Sequence, residues 1–143
     1  MKNLQTLSIA ALFLAFAALA CSFSPAGIGS LKTSTDKAGE NETIIFKVGD
    51  TIHAHAPLVN NSEKVTVKFS LVPEEVKGLT KGESIKEGEV SQIVDGGGEA
   101  ILTLRTGKNF PVGTYKINAD MVNEAGEIKD SKSVNVTVAR ASE

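Results

Sequence analysis

Lys64-Val65-Thr66-Val67-Lys68-Phe69-Ser70-Leu71 alternates without a break. Val65, Val67, Phe69 and Leu71 fall on one side, and Thr66, Lys68 and Ser70 on the other. A period of two belongs to a strand with one buried face, and helical spacing is hard to find anywhere in the chain. The pattern returns at residues 115–121, where Tyr115, Ile117, Ala119 and Met121 share a face, and at 133–138, where Val134, Val136 and Val138 do. Residues 43–48, 51–58, 85–94 and 100–105 are further candidates. Turn formers separate them: Gly49-Asp50, Asn60-Asn61-Ser62, Asp95-Gly96-Gly97-Gly98, Thr106-Gly107-Lys108-Asn109 and Asn123-Glu124-Ala125-Gly126. About seven short strands at this spacing predict an all-β chain, folded as a single antiparallel sandwich over residues 43–139. Residues 73–89 are charged and punctuated by glycine, and fit a loop, a short helix or a ragged edge strand.

Working outward, the run Phe110-Pro111-Val112-Gly113-Thr114-Tyr115-Lys116-Ile117 is followed by a hairpin and a Val-x-Val-x-Val strand. It resembles the start of the penultimate strand in bacterial immunoglobulin-like domains. The resemblance implies that Tyr115 opens this strand at a corner, its hydroxyl bonding back to nearby backbone. Ile117 stands where an antibody domain has its second cysteine, and tryptophan is absent, which sets the chain apart from antibody-type domains. What the resemblance implies is an architecture and no particular ligand.

The N-terminal segment carries a different message. Lys2 supplies a positive start and an apolar run extends from Ile9 to Ala20, too short to span a bilayer as a helix. Ala18-Leu19-Ala20-Cys21 resembles the bacterial lipobox, with Ala18 where a larger apolar residue is usual. That resemblance implies a lipoprotein signal peptide over residues 1–20 and a lipidated Cys21 held in a membrane by palmitate-type acyl groups. Ser22 in place of aspartate implies the outer membrane if the cell has two. Without the resemblance, the segment is a secretory signal followed by one spare thiol. Residues 21–42, rich in small and polar types with Pro25, Gly27, Gly29 and Gly39, are expected to form a flexible linker. Within it, residues 28–35 could add an edge strand. Residues 140–143 are a C-terminal tail.

Composition narrows the function. Removal of residues 1–20 takes away Lys2 from the 15 basic residues and none of the 17 acidic ones, leaving a chain of net charge −3. Nucleic-acid binding needs a basic face, and none is visible. Beyond residue 20 the aromatics are Phe23, Phe46, Phe69, Phe110 and Tyr115, so stacking platforms for sugars or bases are not expected. With one cysteine, the fold must stand without a disulfide.

Candidate chemistry is sparse. His53 and His55, two apart on one predicted strand, share a face opposite Ile52, Ala54, Ala56 and Leu58. As an exposed pair they could ligate copper or zinc in a small metal or ligand carrier, or they could be ordinary exposed strand residues. Asp95-Gly96-Gly97-Gly98-Glu99 lacks the lysine and hydroxyl of a phosphate loop and reads as a hairpin connection. Glu74, Glu75, Glu83, Glu87 and Glu89 lie among Lys77, Lys81 and Lys86, which favours a solvated charged surface, with weak calcium binding as the alternative. No nucleophilic triad is expected, because both histidines share one strand and Cys21 would be acylated. The expectation is therefore a non-enzymatic envelope protein without a cofactor, anchored through Cys21, whose module contacts another envelope protein.

Overall fold

The computed structural model describes residues 24–141. Residues 1–20, expected to be a signal peptide, and Cys21 lie outside the described residues. Nine strands form two sheets: β1 (Gly27–Ile28), β2 (Lys32–Ser34), β3 (Ile45–Lys47), β4 (Thr51–Val59), β5 (Lys64–Val76), β6 (Ile85–Asp95), β7 (Glu99–Arg105), β8 (Gly113–Val122) and β9 (Ile128–Ala139). In the smaller sheet β4 is central, with β7 along one edge and β1 and β2 end to end along the other. The larger sheet runs β3-β9-β8-β5-β6. The seven strands expected from alternation are β3 to β9. The chain is an immunoglobulin-like sandwich with all pairs antiparallel but one, since β3 runs parallel to β9.

That exception has a local cause. The chain leaves β2 in the small sheet, crosses to the large sheet for β3, and returns through a tight turn into β4. Asp50 accepts from the Lys47 N–H at 2.8 Å. The buried Thr106 hydroxyl accepts from Gly49 N–H at 3.0 Å and donates to the Asp50 carbonyl at 2.7 Å. A strand that must switch sheets within so few residues meets β9 from the wrong end for antiparallel pairing.

The linker boundary at residue 42 is corrected by the fold. Gly27 and Ile28 pair with Val59 and Leu58, while residues 32–34 pair with residues 53–55. The stretch beyond β2 is tied down as well: Thr43 N–H donates to Thr33 O at 2.9 Å, and Thr35 N–H to Asn41 O at 3.2 Å. Small and polar composition misled here because this stretch closes the open edge of β4 with backbone bonds, which are indifferent to side-chain hydropathy. Residues 73–89 also resolve: β5 continues to Val76, and β6 begins at Ile85 after a polar turn.

Between the sheets the alternating residues meet. Val65, Val67, Phe69 and Leu71 of β5 and Tyr115, Ile117, Ala119 and Met121 of β8 face Ile52, Ala54, Ala56 and Leu58 of β4. Ala100, Leu102 and Leu104 of β7 and Phe46 of β3 complete the filling. Tyr115 is fully enclosed, and its hydroxyl donates to the Pro111 carbonyl at 2.6 Å, the corner that the resemblance to immunoglobulin-like domains implies. Phe110 packs on the same ring at 5.3 Å between centroids. The bond ties the β7–β8 connection to the start of β8 and satisfies a polar atom that burial would otherwise penalise.

Burial pushes the Tyr115 hydroxyl up to about 12. An unfolded tyrosine ionises near ~10, so the folded state holds this proton where the unfolded chain releases it. Stability from this group is therefore complete below about pH 10 and is lost as pH rises toward 12. Since Tyr115 is the only tyrosine, absorbance titration reads it directly and should show ionisation displaced to the unfolding transition. Tyr115→Phe should lower stability by about 1–3 kcal/mol in urea unfolding at neutral pH and remove that alkaline loss.

Candidate functional site

Two features outside the core could carry chemistry or recognition. The first is the histidine face of β4. Its strand is buried over five consecutive residues, with His53 8% and His55 6% exposed. The expected exposed pair is therefore corrected. Residues 35–41 fold back over this face, and Gly39, at φ +76°, lies so close that a Cβ there would stand 3.3 Å from His55 Cε1. Asp36 holds the turn by accepting from Asn41 N–H at 2.7 Å and Glu40 N–H at 3.1 Å. Those bonds, Asn41 first, keep its carboxyl below the usual range.

Beneath the turn, His55 Nε2 lies 3.0 Å from Ser34 Oγ, and Nδ1 lies 3.3 Å from Glu99 Oε1 on β7. His53 Nδ1 lies 3.1 Å from Thr103 Oγ1. Burial, then the neighbouring His55 and Lys37, lower the His53 pKa, with Asp36 opposing them. Three of the four ring nitrogens that a metal would need, all but His53 Nε2, are thus turned toward protein partners. Among the described residues, no three His, Cys, Asp or Glu side chains are grouped to hold an ion.

Ser34, His55 and Glu99 stand in the order hydroxyl, imidazole, carboxylate, a constellation that reasoning from the chain order did not expect. Acyl transfer also requires that a substrate carbonyl reach the hydroxyl and find oxyanion donors there. Ser34 is 0% exposed, and its hydroxyl donates to the Asp36 carbonyl at 2.6 Å. The arrangement is a buried polar plug that seals the outer face of β4. No sequence signal could have found it, since Ser34 comes from β2, Gly39 from the turn that follows, and Glu99 and Thr103 from β7.

The second feature is the free margin of the large sheet. From Val90 to Asp95, β6 pairs in regular register with residues 64–69 of β5. Its other half is irregular: Leu71 pairs with Ile85, so residues 86–89 bulge, and a side chain at Gly88 would overlap Leu71. Lys86, Glu87 and Glu89 occupy the bulge, which blunts that half against unwanted pairing. The regular half carries Ile93, 64% exposed, on its outer face opposite Thr66, and Val90 on the other face opposite Phe69. Gln92 reaches across to accept from Ile101 N–H at 2.9 Å, which covers part of the facing edge of β7. The remaining candidates read as surface and turn. Glu74 is gripped by Lys116 at 2.6 Å and Lys81 at 3.2 Å; these bonds, Lys116 first, lower its pKa and leave it a poor proton donor. Residues 95–98 join β6 to β7 across the sheets, fastened by Gly96 N–H to Glu63 O and Leu58 N–H to Gly98 O.

No family model matches the chain. It is 38% identical over 112 residues to the muscle M-line assembly protein unc-89 of Caenorhabditis elegans, a match covering 76% of this chain and 1% of that protein. The chain thus spans about one hundredth of that relative's length. Among solved structures it is similar to an immunoglobulin-like protein from Pseudomonas aeruginosa, with TM-score 0.52 and 12% identity over 81% of this chain and 98% of that one. A Niemann-Pick type C2 protein from Japanese carpenter ant gives TM-score 0.50 and 15% identity, covering 83% and 96%. At such identities these structures establish the fold alone.

Two outcomes are expected of the histidine face. Gly39→Ala forces a side chain into a left-handed turn and onto His55, and should lower stability by about 1–2 kcal/mol in urea unfolding. Because the His53 pKa lies below its ordinary 6.5 in the folded state, its contribution is complete above that pH and is lost as pH falls through the folded value. Stability measured across this acid range should fall less steeply in His53→Gln than in the native chain.

Proposed function

We propose that this chain is a lipid-anchored protein of the bacterial cell envelope whose immunoglobulin-like module is non-catalytic and works by contact with another envelope protein. The anchor is Cys21, acylated after removal of residues 1–20, and the outer membrane is its location if the cell has two. The observation that carries the contact reading is the regular half of β6, whose outer edge has no strand partner among the described residues, with exposed Ile93 at its margin. Unpaired backbone groups along a sheet edge accept a partner strand in register, and an apolar side chain beside them adds specificity. Against catalysis stands the one hydroxyl–imidazole–carboxylate set, whose hydroxyl is fully buried. A carrier built on an exposed histidine pair has lost its premise.

In-cell crosslinking of tagged full-length protein, followed by recovery from membranes and mass spectrometry, tests both parts. Acyl mass on Cys21 is expected, together with one reproducible envelope partner. Ile93→Lys should fold normally and recover about tenfold less of that partner, a loss of about 1.4 kcal/mol. Equal recovery with the native and variant chains would remove β6 as the contact edge.

A further inference from the structure

We infer that the sandwich sits end-on against the lipid headgroups, with the turns at residues 60–63 and 123–127 facing the bilayer; this rests on the Cys21 anchor proposed above. The first paired residue is Gly27, only six residues beyond Cys21. A chain spans at most ~3.3–3.6 Å per residue, so Gly27 lies within about 20 Å of the acylated residue. The stand-off that residues 21–42 would have given is therefore not available, because most of them belong to the domain.

Strand pairing then decides which end comes down. Gly27 pairs with Val59, the last residue of β4. At that same end β5 begins at Lys64, β8 finishes at Val122, and β9 begins at Ile128. Ser24, Pro25 and Ala26 line one hollow with residues 60–63, Asn123 and Lys129, which places the incoming chain among these turns. The opposite end, with residues 105–112 and the last residues of β9, is about 30 Å away along the ten residues of β8.

The chemistry of the anchored end suits a headgroup layer of low net charge. Val59 and Ile128, 42% and 62% exposed, flank the point where the chain comes in, and such side chains lose less when they meet a lipid interface than when they stay in water. Asn60, Asn61, Ser62 and Asn123 supply neutral polar groups between them. Glu63, Asp95, Glu124 and Glu127 outnumber Lys64 and Lys129, which disfavours a strongly anionic surface. Ile93, at the margin of this end, belongs to the β6 edge. End-on seating stands β6 along the membrane normal, so a partner strand would meet it from the side.

Acylation of Cys21 leaves an introduced cysteine as the only free thiol, so single-site labels are available in the full-length protein. Ser62→Cys and Lys108→Cys replace exposed turn residues at the two ends. Each would be labelled with a fluorophore and reconstituted in vesicles of phosphatidylethanolamine and phosphatidylcholine bearing a headgroup nitroxide quencher. Mass spectrometry of the same samples reads the acyl groups. With Cys21 acylated, the Ser62 label should be quenched several-fold more than the Lys108 label. Equal quenching, or stronger quenching at Lys108, on acylated protein overturns end-on seating and leaves the anchor standing. Protein without acyl mass and without vesicle association overturns the anchor and this seating with it.

Discussion

Everything in this fold hangs on β4. It is the only strand paired along both edges within the small sheet, and it is covered on both faces over five consecutive residues. A strand so placed offers no face to water, so every polar group on it must find a protein partner. The core side solves this with Ile52, Ala54, Ala56 and Leu58. The other side carries two imidazoles, and the N-terminal stretch supplies what they need: Ser34 from β2, the turn closed by Asp36, and Gly39 over the ring. Remove that stretch and β4 loses an edge partner and a roof together. The N-terminal segment is therefore a structural layer of the sandwich.

Much of this was legible in the chain. The strands with one wet face, β5, β8 and β9, advertise themselves by strict alternation, because solvent and core select opposite side chains at successive positions. The corner at Tyr115 was legible only through the resemblance to bacterial immunoglobulin-like domains, which Pro111, Gly113 and Tyr115 help carry. What could not be read was any feature whose signal is spread over distant parts. β1 and β2 are two and three residues long, too short for a period to show, so residues 28–35 read only as an optional edge strand within an expected linker. His53 and His55 looked exposed because alternation assigns faces without saying what covers them. Ser34 and Glu99 meet His55 from 21 and 44 positions away, as the fold alone brings them.

The same limit explains why function is less legible than fold. Edge pairing uses backbone groups common to all residues, so a contact edge leaves little trace in composition. Here the trace is indirect. One half of β6 is armed against pairing by a bulge, Gly88 and charged side chains, whereas the half from Val90 to Asp95 is regular and carries exposed Ile93. If avoidance of stray pairing were the only pressure on this margin, the regular half would be the one to blunt, since it is the better template. The asymmetry supports the proposed use of this edge.

Orientation joins these pieces. A module on a long leash samples every direction, and each contact then bears the entropy of alignment. If Cys21 is the anchor, as proposed, five residues separate it from the first pairing at Gly27; rotation about the anchor would persist, tumbling would be restricted, and an edge along the membrane normal would sweep a thin shell above the bilayer. A partner confined to the same membrane searches that shell in two dimensions rather than three. On that proposal, the structural demand of β4 for a roof and the short leash at Cys21 have one origin. Residues recruited to cover two buried histidines are no longer available as tether, and what this closes off in reach it returns as alignment of the open edge.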